Sequence, residues 1–117
     1  MMGLRPTQVA EAVAPLGVAA LGANCGKTLD AMVEVVAELA AAQLGLPLWI
    51  KPNAGLPRMT DEGAVYDVTP ETMGEYASRF VQGGAQVVGG CCGSTPEHVA
   101  AIAAAVKQLS RLAAPAL

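Results

Sequence analysis

Gly83-Gly84-Ala85-Gln86-Val87-Val88-Gly89-Gly90-Cys91-Cys92-Gly93-Ser94-Thr95-Pro96-Glu97 is the stretch on which the fold turns. The paired glycines stop a preceding helix. Ala85 to Gly89 is short, largely apolar and centred on two β-branched residues, the composition of a buried strand. Gly90 to Gly93 is a loop. Ser94-Thr95-Pro96-Glu97 then opens a helix, with a hydroxyl cap, proline at a first-turn position and an acid facing the helix dipole. Helix, buried strand and helix in immediate succession is the grammar of a parallel sheet with helical crossovers.

The same unit is legible upstream. Thr69-Pro70-Glu71 starts a helix that runs to about Val81. Before it, Leu48-Trp49-Ile50 reads as a second strand, followed by the turn-rich Pro52-Asn53-Ala54-Gly55-Leu56-Pro57 and an irregular excursion from Arg58 to Asp67. A helix opens at Thr28 with Asp30 in its first turn and ends at Gly45 and Pro47. Leu29, Val33, Val36 and Ala40 mark its buried face at helical spacing. Gly17 to Gly22 reads as the first strand, after a short helix from Thr7 to Val13 introduced by Pro6. The last helix extends from Pro96 to about Leu112, and the tail around Pro115 is expected to fray. The order is α, β, α, β, α, β, α.

The chain has 117 residues, 53% of them hydrophobic, 15% charged and 3% aromatic. That length suits one domain, and the apolar content excludes a disordered chain. A net charge of −3 with seven scattered basic residues gives no phosphate-binding surface, so no nucleic-acid partner is expected. No signal peptide and no bilayer-spanning run is visible. Three cysteines, two of them adjacent, do not suit a secreted disulfide framework. A cytoplasmic protein is expected. Three strands make a poor parallel sheet by themselves, and a closed (βα)8 barrel takes about 250 residues. A fragment or an obligate assembly is therefore expected.

In parallel α/β folds the reactive groups gather at the carboxyl ends of the strands. Cys25 follows the first strand, and Cys91 and Cys92 follow the third. Three thiolates suit zinc and leave its fourth tetrahedral position open, as in catalytic sites. A thiol substrate held there would ionise near neutral pH and could attack a methyl group. Adjacent cysteines on one metal need a local kink, since neighbours on a strand point to opposite faces; Gly89, Gly90 and Gly93 supply the freedom for it. The competing readings are a buried structural thiol at Cys25 and a vicinal disulfide between Cys91 and Cys92. His98 is not expected to be a fourth ligand, because a closed four-ligand site would be structural. Asn24 and Asn53 sit where they could contact substrate or simply hold their turns. Lys51 reads as a solvated strand-end charge and Trp49 as packing. Tyr66 and Asp67 suit either a loop over the site or a helix entry.

Gly22-Ala23-Asn24-Cys25-Gly26, Lys51-Pro52-Asn53-Ala54-Gly55-Leu56-Pro57 and Gly89-Gly90-Cys91-Cys92-Gly93-Ser94-Thr95-Pro96-Glu97-His98 together resemble the last three strand-end motifs of the homocysteine S-methyltransferase family. That family includes the homocysteine-binding module of cobalamin-dependent methionine synthase and betaine–homocysteine methyltransferase. The match spans almost the whole chain. It implies that residues 1–117 form the C-terminal portion of a (βα)8 TIM-type barrel: the last three strand–helix units, preceded by one helix. It implies zinc on Cys25, Cys91 and Cys92, with homocysteine activated as a zinc-bound thiolate for methyl transfer towards methionine. The Pro52 to Pro57 loop resembles the methionine synthase branch, which points to a corrinoid or another methyl donor carried by a partner. The residues that hold the amino acid part of homocysteine belong, in the family, largely to the earlier strands. The implied partners are thus the thiol and a complementing barrel half, or a second copy. The alternative is a zinc-binding or assembly module without catalysis, or an inactive truncated remnant.

Overall fold

The computed structural model describes residues 3–113, with side chains to Ser110. Helix α1 (Pro6–Val13) leads through a 3-10 turn (Ala14–Leu16) to strand β1 (Leu21–Cys25). Helix α2 (Leu29–Ala41) crosses to β2 (Leu48–Pro52), a hairpin of β3 (Pro57–Thr60) and β4 (Gly63–Tyr66) follows, and α3 (Pro70–Gly83), β5 (Val87–Val88) and α4 (Pro96–Ala113) complete the chain. Strands β1, β2 and β5 form one parallel sheet in that order. Leu21 to Cys25 of β1 lies opposite Leu48 to Pro52 of β2, and Trp49 and Ile50 lie opposite Val87 and Val88.

The helices start where the capping chemistry places them. Thr28 Oγ1 accepts the Ala31 N–H at 3.0 Å, and Thr69 Oγ1 accepts the Thr72 N–H at 3.2 Å. Each satisfies one of the backbone donors left free in a first turn. Within α2 the buried positions are Leu29, Met32, Val36 and Leu39. Val33 and Ala40, expected inside, are only partly buried, so the apolar stripe is rotated towards the two bulkier side chains. Phe80, the only phenylalanine, is fully buried with Ile50, Met73 and Ala77 in the main core between helices and sheet.

Three expectations are corrected. The first strand is Leu21–Cys25, not Gly17 to Gly22. Gly17 takes φ 75° and closes the 3-10 turn, which delays extended backbone until the chain meets β2. The segment from Arg58 to Asp67 is largely a β-hairpin rather than irregular. Thr60 Oγ1 accepts from the Glu62 N–H and lies 2.8 Å from the Gly63 carbonyl, so a side chain fixes the turn. The third strand is shorter than Ala85 to Gly89. Its backbone nevertheless stays paired along β2: the Gln86, Gly89 and Cys91 N–H groups reach the carbonyls of Leu48, Ile50 and Pro52, each at 2.9 Å. The expected frayed tail around Pro115 lies outside the described residues.

Strand alternation gives the sheet two different faces. Leu48, Ile50 and Pro52 are buried under the helices. Gly22, Asn24, Trp49, Lys51 and Val87 point the other way and are exposed, Trp49 to 48% and Val87 to 42%. Parallel sheets normally have both faces covered; here one is bare among the described residues. The molecule is accordingly a slab of 47 × 46 × 20 Å with a radius of gyration of 15.1 Å, where a compact domain of this length would have about 13 Å.

Candidate metal centre

Cys25 is the last residue of β1 and has φ 62°, a left-handed conformation uncommon outside glycine. A regular strand would send Asn24 and Cys25 to opposite faces. The reversal at Cys25 instead brings its Sγ to 3.3 Å from Asn24 Nδ2, on the side of the bare face. Cys91 and Cys92 lie beyond β5, in the loop before α4. Their sulfurs are 4.0 Å apart, Cys25 Sγ is 3.1 Å from Cys91 Sγ, and all three lie within 4.8 Å of one another. All three are free thiols, so the vicinal disulfide is not formed.

The middle strand holds the two cysteine-bearing loops together. Asn53 Nδ2 donates to the Gly26 carbonyl at 3.2 Å, and Asn53 Oδ1 accepts the Cys92 N–H at 3.0 Å. Its own N–H reaches the Cys25 carbonyl at 3.4 Å, and Ala54 N–H donates to the Cys92 carbonyl at 2.9 Å. The Asn53 amide is therefore a tie between loops. Tyr66 at the end of β4 presses its ring on Gly93, where a Cβ would lie 2.2 Å from the ring carbon. Gly93 has φ +80°, so two requirements converge on glycine there. Asp67 pairs with Arg58 through two contacts of 3.1 Å, which hold its carboxyl below the usual range.

His98 stands apart from the thiols. Its Nδ1 accepts the Thr95 N–H at 3.1 Å, and its Nε2 lies 2.6 Å from the Val68 carbonyl. A carbonyl only accepts, so Nε2 carries the proton. The ring fastens the start of α4 to the entry of α3, and both nitrogens are engaged. Sequence reading missed this tie and the Tyr66–Gly93 contact. The glycine beside the cysteine pair was the visible signal for the second.

The thiols share their protons unequally. The hydrogen bond with Cys91 favours the protonated Cys25 thiol and pushes its pKa up to about 11. The same contact stabilises the Cys91 thiolate and lowers its pKa to about 7. Tetrahedral zinc with bonds of about 2.3 Å puts its sulfur ligands about 3.8 Å apart. The observed 3.1 and 4.0 Å bracket that spacing. Donor chemistry and geometry both fit a soft-to-borderline divalent metal with three sulfur ligands.

Residues 1–106 match the family model for homocysteine S-methyltransferase. The chain belongs to the homocysteine S-methyltransferase family. It is 40% identical to a methionine synthase of Mycobacterium tuberculosis over 101 residues, 86% of this chain and 8% of that protein. It is 41% identical to a methionine synthase of Mycobacterium leprae over 96 residues, 81% of this chain and again 8% of the relative. The chain thus spans about a twelfth of the length of these curated relatives. The matched region contains all three cysteines, Asn24 and Asn53. Among the described residues, no helix is long and apolar enough to cross a membrane.

Proposed function

We propose that this chain is the metal-holding part of a homocysteine S-methyltransferase in methionine synthesis, built as the last three strand–helix units of a (βα)8 barrel in the cytoplasm. The convergence of three cysteine sulfurs at the carboxyl end of a parallel sheet carries this reading. The barrel is supported by topology. Strand order follows chain order and every helix packs on one face, the winding that curls a parallel sheet around its bare side rather than stacking helices on both. The bare face then becomes the lining of the barrel.

Cys25, Cys91 and Cys92 are the residues that would hold zinc. When bound, zinc would supply Lewis acidity that stabilises the substrate sulfur as a thiolate near neutral pH. The chain's own residues do the remaining local work. Asn24 donates to Cys25 Sγ, Asn53 fixes the spacing of the two cysteine loops, and Tyr66 presses on the loop from the hairpin side. In the transfer, homocysteine sulfur attacks the methyl carbon of the donor. The donor's bond to that carbon breaks with its electron pair leaving on the donor, a corrinoid or another carrier held elsewhere, and methionine forms.

The bare face supports a requirement for complementing strands. The test is a mycobacterial methionine synthase from which the segment matching this chain has been deleted. Adding this chain should restore methylation of homocysteine, and Cys91→Ala should abolish the rescue. Turnover by this chain alone would overturn the need for a complement. Undiminished rescue by all three cysteine-to-alanine variants would overturn the role of the thiols. The second reading is a zinc-binding or assembly module, or a truncated remnant, without catalysis. It would be supported by metal binding without rescue.

A further inference from the structure

Cys25, Cys91 and Cys92 form a donor group that no histidine or carboxylate joins among the described residues. His98, the single histidine of the chain, has both ring nitrogens engaged, with the Thr95 N–H and the Val68 carbonyl. The group offers three sulfurs and nothing more. Zinc needs a fourth ligand, which has to come from substrate or water. Trivalent arsenic needs none. It forms three bonds and keeps a lone pair at the apex of a pyramid, so three thiols of one chain saturate it.

The spacing suits that pyramid. Sulfurs on tetrahedral zinc lie about 3.8 Å apart. Arsenic–sulfur bonds are of similar length, and their mutual angles are tighter than tetrahedral, so the sulfurs of an arsenic trithiolate stand somewhat closer together. Cys25 and Cys91 Sγ are 3.1 Å apart, Cys91 and Cys92 Sγ are 4.0 Å apart, and all three lie within 4.8 Å of one another. The backbone holds this set in place. Asn53 ties the Gly26 carbonyl to the Cys92 N–H, the Cys91 N–H reaches the Pro52 carbonyl at 2.9 Å, and φ 62° turns Cys25 inward. Such order lowers the entropy cost of gathering three side chains on one atom. The adjacent pair alone supplies two sulfurs. The third comes from 66 positions upstream and joins them through the fold.

We infer that Cys25, Cys91 and Cys92 of the folded chain form a trithiolate site for trivalent arsenic, taken up as arsenite. Arsenic stays trivalent and no electrons are exchanged. Each arsenic–oxygen bond of As(OH)3 gives way to a bond with one Sγ, and each thiol proton leaves with a hydroxide as water, three waters in all. The same sulfurs would hold zinc, so the two ligands exclude each other. The site goes beyond the thiol-transfer reading and needs nothing from complementing strands, because a saturated arsenic takes neither a fourth ligand nor a substrate.

The test is intact-mass spectrometry of the full, metal-free chain with one equivalent of arsenite. The chain is kept dilute and reduced by a phosphine, because a thiol reductant would itself take the arsenic. A gain of one arsenic less three hydrogens per chain is expected. Cys25→Ala should give only a two-sulfur adduct that keeps one hydroxyl, a gain of one arsenic and one oxygen less one hydrogen. It should lose its arsenic to glutathione at about a hundredfold lower concentration than the parent, the scale on which one link of a multivalent contact counts. The arsenic-loaded parent should take up no zinc. A two-sulfur adduct in the parent, or no adduct, would overturn the site. So would a three-sulfur adduct found only at the mass of joined chains. Equal resistance to glutathione in denaturing urea would overturn it as well, since the fold would then contribute nothing. Formation of the three-sulfur adduct by a chain that fails to bind zinc would sink the metal reading and support the arsenic site.

Discussion

Asn53 shows how much one side chain can organise. Its amide joins the Gly26 carbonyl to the Cys92 N–H, and so sets the distance between loops that come from strands two apart in the sheet. Groups that orient metal ligands are typically worth 10–100-fold in metal affinity. Asn53→Ala should therefore weaken zinc binding by about tenfold or more with little loss of helix by circular dichroism. Unchanged affinity in a competition titration would show that the loops hold themselves. The sequence offered Asn53 as either a substrate contact or a turn residue, and composition could not decide between them. Only the register that puts Cys25 and Cys92 on either side of it reveals the tie. Cys91 gives a second expectation. Its lowered pKa means that the thiolate is present above about pH 7 and is lost as pH falls through that value. Cys25 stays protonated until about pH 11. In the metal-free chain Cys91 should be alkylated fastest, with its rate halved near pH 7. A midpoint near pH 9 would contradict the shared-proton arrangement.

Among the elements, the helices were the most legible. Thr28, Thr69 and Pro96 each carry a chemistry that suits a helix start, and all three stand where a helix begins. The strands were less so. Gly17 to Gly22 has a strand's composition, but the partner strand determines where pairing begins, and the partner is about thirty residues away. The hairpin was missed for a different reason. Pro57, Gly63 and Ala64 are poor strand residues, and the turn depends on Thr60 rather than on a glycine pair. The hairpin matters because Tyr66 carries it onto Gly93. Gly93→Ala would force a side chain into the ring position at a backbone angle that disfavours one. A loss of about 1–3 kcal/mol in urea unfolding is expected, with reduced metal affinity. Parent-like stability and affinity would mean that the hairpin is incidental to the cysteine loop.

The slab shape follows from these parts. Three consecutive strands with all their helices on one side bury Ile50 and Phe80 well but leave Trp49 and Val87 in the open. The number of strands in the parallel sheet was legible in the sequence. So was the grouping of the cysteines at one end, because both motifs follow apolar runs. The inward turn of Cys25 was not, since it rests on a positive φ at a residue that gives no local signal for it. An exposed apolar face of this kind favours association. The chain at micromolar concentration should form dimers or larger species by light scattering, with Trp49 fluorescence shifting to the blue as it is covered. A stable monomer with solvent-exposed Trp49 would mean that the bare face tolerates water.

Zinc content per chain, measured by elemental analysis after purification under reducing conditions, tests the metal centre most directly. About one zinc per chain is expected for a three-sulfur site, with a clear fall in each of Cys25→Ala, Cys91→Ala and Cys92→Ala. No zinc after metal is added back, or full retention in all three variants, would contradict the assignment of these cysteines as ligands.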